Sequence, residues 1–229
     1  MREKILFHNL LEIKEKINFI KSEHKAPKIT LVAVSKKKPL SDIELLFKLN
    51  HNDFGENYAQ ELKEKYENLK GEKPNFHFIG PLQSNKVHLI IDKVKLIHSV
   101  DREKLVKTIN NEAKKINKVQ DILIQLNLTG ENTKSGIKEE ELFTFVKNLQ
   151  NYKNISPVGL MTMPYFTENL EEIRPYFTKL RKLRDILNKE GFVTIKELSM
   201  GMSNDYTVAI EEGATIIRVG TAIFGKREY

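Results

Sequence analysis

The strongest constraint on the fold of this chain is an alternation of eight short apolar, β-branched runs with helical segments. This alternation is typical of repeated βα units, whose strands pair in parallel. The runs span residues 29–35, 52–54, 75–79, 95–99, 121–128, 156–161, 195–199 and 215–219. Because eight such units close into a barrel, we predict one α/β domain over residues 1–229, a single (β/α)8 TIM barrel.

The alternative fold is an open, doubly wound parallel sheet. That fold calls for a glycine-rich turn after its first strand, and here the first strand is followed by Lys36, Lys37, Lys38 and Pro39. The chain of 229 residues, 40% of them hydrophobic, is long enough to bury one large core. The sequence therefore favours the barrel.

The first 25 residues predict an amphipathic helix packed on the barrel. Its apolar positions follow helical spacing, with Glu and Lys between them: Leu6, Leu10, Ile13, Ile17 and Ile20. Neither a secretory signal nor a membrane span is expected, because both need a long unbroken apolar stretch. We expect a cytoplasmic protein without a membrane partner.

Composition excludes several kinds of chemistry. The chain has no cysteine, so it has no disulfide, thiolate metal ligand or cysteine nucleophile. The net charge of +7 is spread along helices in which Lys alternates with Glu, as in 61–65, a pattern that indicates a solvated face. We therefore expect no nucleic-acid partner, and because no His or carboxylate cluster has metal-ligand spacing, we predict no metal.

Strand parity selects one lysine of the basic run after the first strand. Val32, Val34 and Lys36 share one face of the strand, whereas Lys37 lies on the other. In one interpretation the three lysines are a solvated charge run. In the other, Lys36 points into the mouth of the barrel, where loss of solvent favours a neutral amine able to condense with an aldehyde.

Arg218 lies in the middle of the last strand, on the same face as Ile216 and Gly220. On the helix-facing side it would pair with a helix carboxylate. We favour the barrel face, because Gly220 lies at the barrel mouth, where TIM barrels carry their chemistry. A permanently charged donor there can hydrogen-bond the ring nitrogen of a heteroaromatic cofactor.

Two loops at the ends of strands seven and eight predict an anion site. Residues 199–203 supply hydroxyls and a glycine, and Ser203 is expected to cap a helix over 204–212. Gly220 and Thr221 open the final helix, so two helix N-termini can face one phosphate. Each loop alone also fits ordinary helix capping.

Other residues at strand ends leave alternatives open. Gly80 and Asn127 are candidates from their position alone. His77 fits either stacking on a ring or a satisfied core histidine, and Asn57 fits a helix cap or a ligand-binding group. Met161 fits a packing residue.

Seven segments resemble the pyridoxal phosphate homeostasis proteins, in order along nearly the whole chain: LVAVSKKKP, DFGENYAQEL, FHFIGPLQSNK, IHSVDR, QLNLTGENTKSGI, GLMTMP and LSMGMSNDYTVAIEEGATIIRVGTAIFGKREY. This family is similar to the N-terminal barrel of alanine racemase. Phe76 and Lys37 stand where the family usually has tryptophan and threonine, and we expect both to point away from the cofactor.

The resemblance implies that pyridoxal 5'-phosphate is bound as a Schiff base on Lys36 and that Arg218 contacts its pyridine nitrogen. Its implied phosphate neighbours are Ser199, Gly201, Ser203, Gly220 and Thr221, and its implied ring neighbours are Asn57, His77 and Met161. Met202 is also expected among the cofactor-binding residues.

The implied role is to hold pyridoxal 5'-phosphate for vitamin B6 and amino-acid homeostasis and to pass it to apo-enzymes, as a monomer. Racemisation needs a second acid/base group facing Lys36, and this chain ends about ten residues after its last predicted strand, without the racemase β-domain. With an arginine at its nitrogen, the pyridine ring is also a poorer electron sink than it would be with a carboxylate there. A weak racemase or decarboxylase stays as the alternative, and a phosphosugar enzyme is a more distant one.

Overall fold

Eight parallel strands form at the eight predicted apolar runs and close into a barrel in chain order, with β8 pairing back onto β1. The computed structural model describes residues 1–131, 134–191 and 195–225, so parts of two quoted motifs, at 132–133 and 226–229, lie outside it. The strands are β1 (Thr30–Val34), β2 (Asp53–Glu56), β3 (Asn75–Phe78), β4 (Val94–Val100), β5 (Gln120–Leu126), β6 (Ile155–Thr162), β7 (Glu197–Ser199) and β8 (Ile216–Val219). The predicted barrel is confirmed, and the open-sheet alternative is wrong.

Helices follow the strands on the outside of the barrel. They are α1 (Arg2–His24), α2 (Leu40–Lys48), α3 (Ala59–Asn68), α4 (Glu103–Lys115), α5 (Leu142–Leu149), α6 (Arg174–Lys189), α7 (Tyr206–Glu211) and α8 (Thr221–Phe224). Short 3-10 helices cover Ser84–Leu89, Glu139–Glu141 and Leu170–Glu172. The connection from β3 to β4 therefore carries a 3-10 helix in place of an α-helix.

Alternation along the strands separates two apolar clusters. The small cluster fills the barrel interior and consists of Val32, Leu96, Leu123, Met161 and Ile216. Leu31 and Ala33, on the opposite face of β1, belong to the large core between barrel and helices. The predicted parity of β1 is therefore confirmed, and it sends Val34 and Lys36 toward the barrel mouth.

The N-terminal helix α1 packs on α2, α7 and α8. All five of its predicted apolar positions are buried. The Arg2 guanidinium donates to the carboxylate of Asp42 and to the Phe224 carbonyl oxygen, and Asn9 donates to the Ile223 carbonyl oxygen. The helix therefore joins the first and last βα units.

Two predicted boundaries shift by two residues, within the ~2–4 residues expected of boundaries read from sequence. The second strand does not end at residue 54 but continues to Glu56, because Gly55 and Glu56 pair with His77 and Phe78 of β3. The helix predicted over 204–212 begins only at Tyr206. Within the described ranges, no helix is both long enough and apolar enough to cross a membrane.

Candidate functional site

A cavity of about 550 Å³ opens at the C-terminal mouth of the barrel. This is the end at which TIM barrels carry their chemistry. The predicted cofactor residues that line it are Lys36, Asn57, Met161, Met202, Ser203, Arg218, Gly220 and Thr221, together with Gly80 and Asn127. The structure thus brings residues from seven different strand ends to one space.

The backbone on both sides of Lys36 is held by a buried ionic cluster, formed by Glu56, Glu61 and Lys65. Lys65 Nζ donates to the Ser35 carbonyl oxygen at 2.8 Å, to Glu56 Oε1 at 2.8 Å and to Glu61 Oε1 at 2.7 Å. Glu61 Oε1 in turn accepts the Lys37 backbone N–H at 2.6 Å. The ionic cluster therefore fixes the peptide groups before and after Lys36.

Lys65 corrects the prediction of a solvated face over 61–65. Its side chain is only 9% exposed, because it reaches under β1 toward Glu56. Burial raises the pKa of Glu56, and this outweighs the charge and hydrogen bond of Lys65 and the hydrogen bond of the Ser35 hydroxyl, which lower it. Glu56 Oε2 has no hydrogen-bond partner among the described residues, so this carboxyl is strongly desolvated.

The turn that carries Lys36 is also conformationally constrained. Lys37 has a φ of 58°, in the left-handed region that L-residues rarely adopt. Its N–H bond to Glu61 holds it there, and its side chain is exposed. This geometry agrees with the expectation that Lys37 points away from the cavity. Phe76 also points away from it, since its ring is buried against Phe54 and Tyr66 in the outer core.

Arg218 lies on the barrel face, as strand parity favours. Its side chain is buried, with NH1 donating to Ser199 Oγ at 2.5 Å and NH2 donating to the Thr162 carbonyl oxygen at 3.1 Å. Burial lowers the pKa of Arg218 to about 10, although the nearby charge of Asp205 raises it. The guanidinium stays charged at neutral pH and reaches the floor of the cavity.

The predicted capping role of Ser203 is wrong. Its hydroxyl oxygen accepts the backbone N–H groups of Gly220 at 3.2 Å and Ala222 at 3.4 Å, at the N-terminus of α8. The first turn before α7 is instead closed by Asp205, whose carboxylate accepts the Met202 backbone N–H. The loops after β7 and β8 are therefore bonded directly to each other.

Asn57 is not a helix cap either. The N-cap position of α3 is Tyr58, and no side chain hydrogen-bonds there. Asn57 Oδ1 is buried and has no partner within the described chain. Gly80 allows the loop after β3 to approach the Asn57 backbone closely, since a Cβ at position 80 would lie 2.4 Å from the Asn57 carbonyl oxygen. Asn57 therefore lies in the cavity wall with a solvent-shielded amide oxygen that no described group satisfies.

Three predicted cofactor residues do not line the cavity. His77 and Ser199 lie deeper in the barrel interior and hydrogen-bond to His98. Gly201 has a φ of 93°, and a Cβ on it would lie 2.7 Å from the Cβ of Ala209. The glycine therefore permits close packing of the loop on α7.

Sequence reasoning missed other residues of the cavity wall, among them Lys38, Lys134, Tyr165, Phe166 and Asp205. Most of them come from loops, where strand parity gives no direction. His98 was also missed, although its alternation with Leu96 in the fourth run could have placed it inside the barrel beside His77. Across the described ranges, no group of three or more His, Asp or Glu side chains could hold a metal.

The closed parallel barrel, with a lysine at the end of β1 and an arginine in β8, defines a class of protein with the fold of the alanine racemase N-terminal domain. Residues 9–228 match the family described as "Alanine racemase, N-terminal domain". The chain is 48% identical over 199 residues to the pyridoxal phosphate homeostasis protein of Aquifex aeolicus, covering 87% of each protein. It belongs to the pyridoxal phosphate homeostasis protein family.

Two solved structures have the same fold over almost their whole length. An unknown protein from Bifidobacterium adolescentis has a TM-score of 0.91 at 30% identity, covering 97% of this chain and 96% of that one. PipY of Synechococcus elongatus, solved with PLP bound, has a TM-score of 0.83 at 30% identity, covering 92% of this chain and 99% of PipY. The family predicted from the motifs is therefore confirmed.

Proposed function

We propose that this chain binds pyridoxal 5'-phosphate through a Schiff base on Lys36 and acts in cellular homeostasis of that cofactor. The observation that carries the proposal is the convergence of Lys36, Asn57, Ser203, Arg218 and Gly220 on one cavity. A lysine amine, a buried cation and small residues with hydroxyls are the groups that this cofactor needs for its aldehyde, ring and phosphate. The names of the relatives and the PLP in PipY support the same ligand.

The residues of the cavity fit the cofactor on an observation independent of the relatives. Asn57 Oδ1 is a buried acceptor that lacks a partner among the described atoms, and such groups are rare in folded proteins unless a ligand or water satisfies them. The pyridine ring carries a hydroxyl donor of the kind that Asn57 accepts. When bound, the cofactor supplies an aldehyde for the amine and an electron-withdrawing ring.

Each wall of the cavity has a proposed task. Lys36 supplies the amine, and the ionic cluster behind it keeps its backbone in place. Arg218, on the floor of the cavity, would donate to the ring nitrogen, and Met161 would pack against the ring. Ser203, Gly220 and Thr221 form the wall on which the phosphate is bound, with the 199–203 loop held behind it by the Gly201 packing contact.

The absorption spectrum of purified protein incubated with pyridoxal 5'-phosphate tests the proposal. We expect a violet absorption band that borohydride abolishes, with the reduced adduct found on the peptide that carries Lys36. Lys36→Ala should lose the band, whereas the matched control Lys37→Ala, outside the cavity, should retain it. A colourless wild-type protein, or an adduct on Lys37 or Lys38, would contradict the assignment.

A holding role is favoured over catalysis by Arg218, because a cationic donor at the ring nitrogen keeps that nitrogen unprotonated and limits the electron sink. Tyr165 on the cavity wall gives the alternative, a weak racemase or decarboxylase, a candidate acid. Incubation of the cofactor-loaded protein with L-amino acids in deuterated water separates the two. Exchange of the α-proton no faster than with free cofactor supports the holding role, and much faster exchange that Tyr165→Phe removes would establish the enzyme.

We further propose that the chain works as a monomer in the cytoplasm and delivers its cofactor to PLP-dependent apo-enzymes. The absence of cysteine is compatible with a reducing compartment. Size-exclusion chromatography with light scattering tests the monomer. Reactivation of an apo-enzyme by the loaded protein in the presence of a scavenger for free cofactor tests delivery, and reactivation no faster than with free cofactor would argue against it.

A further inference from the structure

A chain of hydrogen bonds crosses the barrel interior beneath the cavity and joins five polar side chains, here called the imidazole chain: Asp53, His77, His98, Ser199 and Arg218. His77 Nε2 lies 3.0 Å from Asp53 Oδ1, and His77 Nδ1 lies 2.9 Å from His98 Nε2. His98 Nδ1 lies 2.9 Å from Ser199 Oγ, which accepts Arg218 NH1 at 2.5 Å. The function proposed above uses only the last of these groups.

The charge state of His98 limits how protons can be arranged along the imidazole chain. Its side chain is fully buried, and burial, together with the charge of Arg218, holds its pKa well below the ordinary histidine value. His98 is therefore neutral and has a single N–H, on either Nδ1 or Nε2. The two tautomers correspond to opposite directions of hydrogen bonding.

The Ser199 hydroxyl distinguishes the two directions. Its oxygen already accepts from Arg218, which can only donate. If His98 carried its proton on Nδ1, Ser199 would accept two N–H donors, and its own proton would have no recorded acceptor in the described chain. If His98 carries its proton on Nε2, Ser199 donates to Nδ1 and every donor in the imidazole chain meets an acceptor.

The far end of the imidazole chain is an ionised carboxylate. Burial raises the pKa of Asp53, but the hydrogen bonds from His77 and Asn75 and the charge of Lys95 outweigh it, so the pKa is lowered. Asp53 is therefore an acceptor at neutral pH and takes the proton of His77 Nε2. The imidazole chain then runs in one direction, from the Arg218 cation to the Asp53 anion.

We propose that His77 and His98 are positioning residues that orient Arg218 toward the cavity through this one-directional chain, with both imidazoles protonated on Nε2. The inference rests on the proposed function in that the orientation of Arg218 matters for the ring of pyridoxal 5'-phosphate. Because the tautomers are fixed, the Ser199 hydroxyl can donate only to His98, and its oxygen stays oriented to accept from Arg218. The guanidinium is therefore held by Ser199 and by the Thr162 carbonyl oxygen. Hydrogen bonds aligned in this way strengthen one another.

The first test needs no cofactor. Long-range ¹⁵N–¹H correlation spectra of the uniformly labelled apo-protein at neutral pH report the tautomer of each histidine. We expect His77 and His98 to carry a proton on Nε2 and none on Nδ1. A proton on Nδ1 of His98, or a doubly protonated His77, would reverse the direction and overturn the proposal.

Asp53→Asn supplies the matched change. An amide can donate to His77 as well as accept from it, so we expect the Nε2 protonation of His77 and His98 to become a mixture. His51 is the internal control, because its Nε2 contacts the backbone carbonyl oxygen of Asp53 at 3.0 Å, which the substitution leaves in place. Unchanged spectra for all three histidines would contradict a chain that depends on the carboxylate.

The second test measures release of pyridoxal 5'-phosphate from the loaded protein into an excess of a carbonyl scavenger. Ser199→Ala and His98→Asn should each accelerate release about tenfold, the low end of what one lost hydrogen bond to a charged group is expected to cause. Lys95→Gln, a change 3.5 Å from Asp53 but outside the imidazole chain, should release at the wild-type rate.

The two tests separate the two proposals. A wild-type protein that takes up no cofactor contradicts the proposed function, and the apo-protein tautomers still decide the direction of the imidazole chain. A protein that takes up cofactor but releases it from Ser199→Ala and His98→Asn at the wild-type rate contradicts the positioning role and leaves the proposed function intact.

Discussion

The two poles of the cavity are supported by different physical chemistry. Behind Lys36 lies the ionic cluster, in which three formal charges meet within hydrogen-bond distance. Behind Arg218 lies the imidazole chain, in which neutral groups separate the cation from the anion. The ionic cluster fixes the backbone around Lys36 by strong local attraction, whereas the imidazole chain orients the Arg218 side chain over a long distance. Substitutions in the two supports should therefore change the unfolding free energy by different amounts and with different pH dependence.

The two carboxyl groups at these poles also shift in opposite directions. Burial dominates at Glu56, which is shielded from solvent, and raises its pKa. At Asp53, whose side chain is 22% exposed, hydrogen bonds and neighbouring charges dominate and lower the pKa. The pKa values of two carboxyl groups near one cavity are thus set by different balances of desolvation and electrostatic attraction.

Removing the cation of the ionic cluster should have the largest effect. Lys65→Met leaves Glu56 and Glu61 close together without their shared cation, and breaking a buried ion pair in this way costs about 3–5 kcal/mol. Urea denaturation of the apo-protein measures the loss in unfolding free energy.

Lys63→Met is the matched control on the same helix. Lys63 is 43% exposed and lies 3.9 Å from Glu67, so its loss should change the unfolding free energy by less than about 0.5 kcal/mol. Equal effects of the two substitutions would show that Lys65 is no more important than a surface lysine.

Asp53→Asn should have an intermediate effect that depends on pH. Because the folded-state pKa of Asp53 is lowered, its contribution is present above the ordinary value of 3.8 and is lost as the pH falls through the folded value. We expect the variant to lose about 1–2 kcal/mol near neutral pH and to approach the wild type as the pH falls below the folded-state pKa of Asp53. Thermal or urea denaturation across this range measures the difference, and a loss independent of pH would exclude the carboxylate as its cause.

Glu56→Gln should show the opposite pH dependence. The folded-state pKa of Glu56 is raised, so its contribution is present below the ordinary value of 4.5 and declines as the pH rises through the folded value. Compared with the glutamine variant, the wild type should therefore lose relative stability between acidic and neutral pH. Parallel pH profiles for Glu56→Gln and Asp53→Asn would remove the contrast between the two poles.

The smallest effect is expected for Lys95→Gln. Lys95 is 55% exposed and lies 3.5 Å from Asp53, so solvent screens most of its attraction. We expect a change in unfolding free energy below about 0.5 kcal/mol that fades further at high salt. A larger, salt-resistant loss would mean that Lys95 belongs to the support of the Asp53 end.

Much of the fold and the cavity could be predicted from the sequence because strand parity is a local property. Alternation grouped Lys36 with Val32 and Val34 and grouped Arg218 with Gly220, and the rule for TIM-barrel mouths then favoured the barrel face for these groups and selected Ser203. The exact partners of these groups were less predictable. Ser203 was expected to cap a helix and instead accepts N–H groups from the neighbouring loop.

The supports behind the cavity could not be predicted, because they depend on contacts between different elements. Lys65 follows a pattern typical of solvated helices, yet it is buried because Glu56 of a neighbouring strand lies beside it. His98 and Ser199 are separated by 101 positions and meet only across the closed barrel. No periodicity within one element encodes such a meeting.

The bonding of α1 to both ends of the barrel has a consequence for biosynthesis. β1 needs β8 to complete its pairing, and Arg2 bonds to the Phe224 carbonyl oxygen, 222 positions away. During translation, the edge of β1 therefore stays unpaired until the last strand has left the ribosome, and contacts of such long sequence separation form late. The amine of Lys36 and the guanidinium of Arg218 come together only at that step, so a cofactor enters a finished barrel and cannot template its early folding.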